Sequence, residues 1–268
     1  MKTTALIPAR KGSKRIPNKN MMDVGGHPLI KYSIITALEL MASNTIQDVY
    51  VSTDSPKIAN YAEDHGSKII HRPDELAQDY SSDIDFIYHT LSAITHTEKP
   101  PDLLVILLPT SPLRSLQVVS GAITIMKAVL EQVGTQHNPT SLRSVEEMSE
   151  SAYKCFELEG NTILKGIGGV SVDRAGQPNQ TFPKTYHPNG YVDIVRPDLV
   201  IRSKKAWGRR VLGYITPRIT ELDTPEDVKR LEYDLATKRG LDVSFKGGKI
   251  EHGKDIDFLD PKHKARRL

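Results

Sequence analysis

The sequence predicts an α/β fold, a doubly wound and mostly parallel sheet with an inserted β-rich arm. Three observations lead there. Short β-rich runs alternate with segments of helical periodicity between residues 3 and 133. One of those runs, LLVILLPT at residues 103–110, is apolar almost throughout, as a strand covered on both faces must be. The alternation then stops near Gly134 and gives way to a stretch rich in glycine and proline.

Taken in order, TTALIPA at residues 3–9 is a first strand that ends on a basic, glycine-bearing loop. From Pro28 to Met41, Leu29, Ile30, Ile34, Ala37, Leu38 and Met41 form one apolar stripe at helical spacing. DVYVSTD is the second strand. Ser55 and Pro56 then supply the N-cap and first turn of a helix that reaches Gly66. SKIIHRP is the third strand, and SSDIDFIYHTLSAITH a helix opened by Ser82 and early acids. After the strand at 103–110, SLQVVSGAITIMKAVLEQV is a further helix. Residues 134–190, with only short β-like runs such as SLRSVEEM, are predicted to form the arm. The main fold resumes with GYVDIVR and VLGYIT. It ends in a helix with Thr224 as N-cap, Pro225 in the first position, Glu226 and Asp227 in the first turn and Gly240 as a stop. The domain so drawn covers residues 1–240, and residues 241–268 form a charged tail.

The bulk properties narrow the function. A net charge of +3 over 268 residues excludes a polyanion binder built on overall charge, so any basic site must be local. One cysteine, Cys155, excludes an intrachain disulfide framework and a cysteine-based zinc cluster. The first residues hold too short an apolar run for a signal peptide, and no run is long enough to span a bilayer. An intracellular, cytoplasmic protein without membrane contact is expected.

In such sheets ligands sit beyond the carboxyl ends of the strands, so the loops after Ala9, Asp54, Pro73 and Thr110 are the ones to inspect. The first, PARKGSKRIPNKN, places Arg10, Lys11, Lys14, Arg15 and Lys19 around Gly12, where backbone amides can approach an anion. Its spacing matches neither a dinucleotide fingerprint nor a P-loop. Alone it fits a solvated basic surface as well as a phosphate cradle. Nucleic acid fits poorly, because no aromatic residues are interleaved to stack bases.

The loop is followed in order by NKN…GGHPLI, VSTD, HRPDELAQDYSSD, LLPTSPLR, HPNG and ELDTPED. That ordered set, running from residue 3 to about residue 240, resembles the acylneuraminate cytidylyltransferase family, the CMP-sialic acid synthetases and relatives acting on other ulosonic acids. The resemblance implies a Rossmann-like nucleotidyltransferase domain with a dimerisation arm, hence a homodimer. The implied reaction joins CTP to a 2-keto-3-deoxy acid sugar, releasing pyrophosphate. It implies Arg10 and Lys19 on the triphosphate, with Lys11, Gly12 and Ser13 adding amides and a hydroxyl. Asn20, Arg72, Ser81 and Ser82 match nucleoside-binding positions, although Arg72 also reads as a surface ion-pair partner.

The family binds Mg²⁺ through two acids one residue apart before the last helix, here Glu221 and Asp223. Alternate residues of an extended segment point to one side, so both carboxylates can face one hard cation. Asp223 and Thr224 as plain helix caps are the other reading. Arg10, Lys19 and Asp223 are the implied catalytic groups. Leu108, Thr110, Ser111, Arg114, Lys184, Asn189 and Trp207 are the implied acceptor-side residues, with Trp207 equally readable as core. Three positions depart from the family on that side. Leu108 replaces a frequent glutamine, Asn179 a common arginine, and Asp193 a frequent tyrosine. Lys184 or His187 could supply the missing positive charge, or be surface residues. A nucleotidyltransferase for another sugar acid or sugar phosphate, and a binding protein that has lost catalysis, remain the competing readings.

Overall fold

The computed structural model describes residues 1–132 and 138–237, and the backbone of two short strands, Ser244–Lys246 and Lys249–Glu251. The predicted helix stop at Gly240 and most of the 241–268 tail lie outside the described residues. The first half of the chain is a run of βα units. β1 (Thr3–Pro8), α1 (Leu29–Ala42), β2 (Asp48–Thr53), α2 (Pro56–Asp64), β3 (Lys68–His71), α3 (Asp83–Thr97), β4 (Leu103–Ile106) and α4 (Leu116–Gln132) follow one another. The second half adds β5 (Ser141–Glu147), β6 (Tyr186–Val195), α5 (Pro197–Ser203), β7 (Val211–Ile215) and α6 (Pro225–Thr237).

Seven strands form one sheet in the order β7-β5-β6-β4-β1-β2-β3. All run parallel except β6, which is antiparallel to both its neighbours. The pleat of β1 explains why helices cover both faces. Ala5 and Ile7 join a core with Ile34 of α1, Ile58 of α2 and Ile123 of α4. Leu6, between them, points the other way, into a core with Ile87 and Leu91 of α3 and Val200 of α5. A third cluster fastens α6 to the basic loop, through Leu231, Leu222, Ile16 and Leu113.

The helix starts follow the sequence signals closely. Ser55 Oγ accepts from the amide of Ile58 at 3.4 Å, with Pro56 in the first turn of α2. At α3, Asp85 reaches back to the Ser82 amide at 2.6 Å while Ser82 caps, a capping box. At α6 the direction differs from the expectation for Thr224. Its amide and hydroxyl both donate to Asp227 Oδ2, at 2.7 and 2.9 Å, so the first-turn carboxylate does the capping. Pro28, the expected start of the first helix, is its N-cap, one residue before Leu29, and also pairs with Asp23 in a two-residue hairpin. That turn needs Gly25 and Gly26, whose φ values are +61° and +85°.

The arm is shorter than the sequence reading drew it. SLRSVEEM reads as part of it, yet Ser141–Glu147 is β5, a strand of the central sheet flanked by β6 and β7. The rhythm misleads here because β6 runs antiparallel, so no crossover helix separates β5 from β6. What leaves the sheet is the segment between Glu147 and Tyr186, including an antiparallel hairpin of Phe156–Glu159 with Ile163–Gly166.

Candidate active site

Loops leaving the carboxyl ends of β1, β3 and β4 enclose a first cleft of about 230 Å³. Arg10, Gly12, Ser13, Lys19 and Asn20 come from the first loop, Arg72 and Ser81 from the second, Leu108 and Thr110 from the third. The cations are held in place by neutral or acidic neighbours. Arg10 Nη1 lies 2.8 Å from Asp79 and 3.3 Å from the Ala77 carbonyl, and Lys14 meets the same Asp79 at 3.2 Å. Lys19 Nζ donates to the Leu222 carbonyl at 3.0 Å and to Asp223 at 3.3 Å. The buried Asn20 donates to the Arg10 carbonyl at 2.9 Å, fixing the backbone between the two cations.

Arg72 is not a surface partner. It is buried, donates to the hydroxyl and carbonyl of Ser52 at 3.1 and 2.9 Å, and lies over the Phe86 ring. Burial pushes its guanidinium down to about 10, which still leaves it charged at neutral pH. Two expected nucleotide residues stand apart. Lys11 lines an outer hollow beyond the loop, with its amide donating to Asp54 at 2.7 Å. Ser82 is taken up in the cap of α3, while Ser81 Oγ accepts from the Gln78 amide at 3.0 Å.

A second cleft adjoins the first, sharing Asp83, Phe86 and Leu108 with it. Its far wall comes from β5, β6 and the chain after α5: Arg143, Asn189, Asp193 and Trp207, with Glu221 at one side. Leu108 therefore stands at the junction of the two. Asn189 is buried and donates to Thr216 at 2.9 Å. Asp193, directly across the ladder from Arg143, is 5% exposed, and its Oδ1 accepts from the Ser144 amide at 3.1 Å. Burial raises its carboxyl to about 7, against the pull of Arg143.

Several acceptor-side candidates lie elsewhere. Arg114 is fully buried and lines neither cleft. Its guanidinium donates to the carbonyls of Tyr191, Leu108 and Gly190 and to Ser33 Oγ, at 2.9, 2.5, 3.1 and 2.7 Å. It thus ties together the two backbone stretches that border the second cleft. Ser111 is also buried, donating to Glu221 Oε1 at 3.2 Å. Lys184 is exposed and paired with Glu147 at 2.8 Å, away from both clefts. Asn179 is a tie within the arm, accepting from the Ser151 amide at 2.8 Å.

Glu221 and Asp223 flank the buried Leu222, whose amide is fixed on the Thr110 carbonyl at 2.8 Å. Both acids border a third hollow, shared with His187, Arg218 and Arg230. Glu221 Oε1 takes both of that residue's bonds, from Ser111 Oγ and the Gly190 amide. Among the described residues no group of three or more His, Cys, Asp or Glu could hold a metal. A pair of carboxylates is nevertheless the donor set that suits a Mg²⁺ completed by phosphate oxygens and water.

Sequence reading missed Asp83 and Phe86, which join the two clefts, and Arg143, which faces the second. The signal for Arg143 was present. It falls between buried neighbours in the alternating run SLRSVEE, but the glycine- and proline-rich stretch that follows makes that run read as part of the arm.

A family model described as cytidylyltransferase matches residues 4–157. The chain belongs to the cytidylyltransferase family. Among curated cytidylyltransferases, the N-acylneuraminate cytidylyltransferase of Escherichia coli O18:K1:H7 is 30% identical over 241 residues, 88% of this chain and 51% of that protein. The chain thus spans about half the length of that relative. The CMP-N,N'-diacetyllegionaminic acid synthase of Legionella pneumophila is 35% identical over 231 residues, 85% of this chain and 93% of its own length. A solved CMP:2-keto-3-deoxy-manno-octonic acid synthetase complexed with CTP shares the fold. It has a TM-score of 0.64 and 18% identity, and the match covers 89% of this chain and all of that one. The family match spans the basic loop, Arg72, Leu108 and Arg143, while Asn189, Asp193, Trp207 and the acid pair lie beyond it. No helix among the described residues is long and apolar enough to cross a membrane.

Proposed function

We propose that this cytidylyltransferase transfers the cytidylyl group of CTP to a nonulosonic acid, a 2-keto-3-deoxy acid sugar, yielding the CMP-sugar and pyrophosphate. The observation that carries the reading is the two-part cleft. A cationic compartment opens, past Leu108, into a compartment lined by hydrogen-bonding groups and one arginine. The first is suited to a triphosphate with its nucleoside, the second to a sugar. Curated relatives named for the activation of acylneuraminic and legionaminic acids support the sugar class.

In this reading the sugar hydroxyl attacks the α-phosphorus and gives its proton to water, a new O–P bond forms, and the α–β phosphoanhydride bond breaks to release pyrophosphate. Arg10 and Lys19 meet the charge that builds on the departing pyrophosphate. The Arg10–Asp79 pair is partly exposed, at 31% and 33%, so it is weak enough to be exchanged for phosphate. Arg72, buried beside Phe86, adds a fixed positive field on the nucleoside side. Glu221 and Asp223 would hold Mg²⁺, which when bound neutralises phosphate charge and aligns the triphosphate.

The proposed assembly is a homodimer in the cytoplasm, where CTP is supplied. The arm supports the dimer. Leu158 and Ile163 on its hairpin are 60% and 66% exposed, with Leu164, Val172 and Tyr186 partly exposed. Exposed apolar side chains concentrated on one segment are suited to a protein interface. A test of the nucleotide half is thermal stabilisation. CTP should raise the melting temperature more than ATP or GTP at equal concentration, with Mg²⁺ enlarging the gap. Equal shifts with every nucleotide would remove the cytidine assignment.

A further inference from the structure

An acid sugar brings a carboxylate into a cleft already lined by Asp83, Asp193 and Glu221. The ionised acids among them would repel it unless a cation received it. Among the residues lining that cleft, Arg143 is the one lysine or arginine. Its guanidinium carbon lies 4.3 Å from the centre of the Trp207 ring. A cation held over an aromatic face makes no hydrogen bond to it, so the guanidinium N–H donors, which match a carboxylate bidentately, stay available for another partner.

The pairing that Arg143 already has is loose. Asp193 Oδ2 lies 3.9 Å from Nε, beyond hydrogen-bond range, and the buried Nε has no hydrogen-bond partner. The side chain is 34% exposed, so a ligand in the cleft can reach it. The alternatives raised by the sequence lie elsewhere, since Lys184 is spent on Glu147 and His187 borders the third hollow.

We propose that Arg143, held over the Trp207 ring, receives the carboxylate of the acid-sugar acceptor and sets the preference for an acid over a neutral sugar. This rests on the cytidylyltransferase reading above. Trp207 is then a positioning residue that works within its own chain.

The test is calorimetric binding, with CTP present and divalent ions absent so that no turnover occurs. The probes are N-acetylneuraminic acid or N,N'-diacetyllegionaminic acid, whichever the wild type binds more tightly, and the 1-carboxamide of the same sugar. The wild type should prefer the acid by about thirtyfold, equivalent to ~2 kcal/mol. Arg143→Gln should bring that preference to within about threefold, a gap of ~0.65 kcal/mol, while CTP affinity stays unchanged. Arg143→Lys should retain an intermediate preference, because charge remains and the fork is lost. Retained CTP binding shows that each variant is folded. A wild type that binds acid and carboxamide alike, or an Arg143→Gln variant that keeps the full preference, overturns the assignment. Failure of the catalytic reading would look different: the acid would bind through Arg143, yet pyrophosphate would not appear when Mg²⁺ is added.

Discussion

Replacing Asp193 by asparagine should make the protein's stability markedly less sensitive to pH. The carboxyl is 5% exposed, and burial raises it from 3.8 to about 7. Below the lower value both folded and unfolded chains keep the proton, and the stability associated with the protonated acid is fully present. Between the two values the unfolded chain gives up its proton first, so unfolding gains ground as pH rises, until the loss is complete above about 7. Of that window, about two units lie between pH 5 and the folded value, worth ~3 kcal/mol at 1.36 kcal/mol per unit. Asparagine keeps an oxygen for the Ser144 amide and never ionises. It also removes the ion pair with Arg143, which exists only where Asp193 is ionised and is already contained in the folded value of about 7; any packing cost of the exchange is independent of pH. Melting curves of wild type and Asp193→Asn at half-unit steps from pH 5 to pH 8 separate the two contributions. The difference between them should swing in favour of the variant by roughly 6–12 °C, using 2–4 °C per kcal/mol for a domain of this size. Curves that stay parallel within about 1 °C, a few tenths of a kcal/mol, would refute the reasoning.

Other perturbations address the chemistry. Arg10→Ala and Lys19→Ala should each lower kcat/KM by about two or more decades, as loss of a charge-stabilising group does; activity within about threefold of wild type, ~0.65 kcal/mol, takes the residue out of the site. Asp223→Asn should raise the Mg²⁺ concentration needed for half-maximal activity while leaving the melting temperature near wild type, since the side chain is 54% exposed. Full activity at limiting Mg²⁺ in both Asp223→Asn and Glu221→Gln leaves those acids as cap and loop residues. Leu108→Gln, at the junction of the two clefts, should raise the kcat/KM for N-acetylneuraminic acid relative to a sugar bearing a deoxy or methyl carbon there. An unchanged ratio means that Leu108 never meets the acceptor.

The parallel half of the fold was legible because each strand ends where the chemistry of the chain changes. TTALIPA gives way to basic residues at Arg10, and Ser55-Pro56 and Ser82 announce the helices that follow. Those boundaries also put the loops with Arg10, Lys19, Arg72 and Leu108 on one edge of the sheet, where they share a cleft. The second cleft was far less legible. Its wall depends on the antiparallel pairing of β5 with β6, which brings Arg143 opposite Asp193 from distant points in the chain. No local pattern encodes that register. Arg114 misled for the opposite reason. Its sequence context suggests a substrate contact, whereas its burial directs its four hydrogen bonds to the protein. Asp193 stood out in the sequence as a departure, and only its position beside Arg143 and beneath solvent gives it a physical consequence.

The most direct test of the central claim is continuous measurement of pyrophosphate release with Mg²⁺ and a panel of acceptors: nine-carbon and eight-carbon 2-keto-3-deoxy acids, neutral sugars and sugar phosphates. The two-part cleft predicts release that requires both CTP and an acid sugar. The nine-carbon acids should be fastest, and ATP or GTP should give at least about a hundredfold lower kcat/KM, ~2.7 kcal/mol. Release with sugar phosphates at the rate of the best acid, or no acceptor-dependent release from CTP with any acid in the panel, would contradict it.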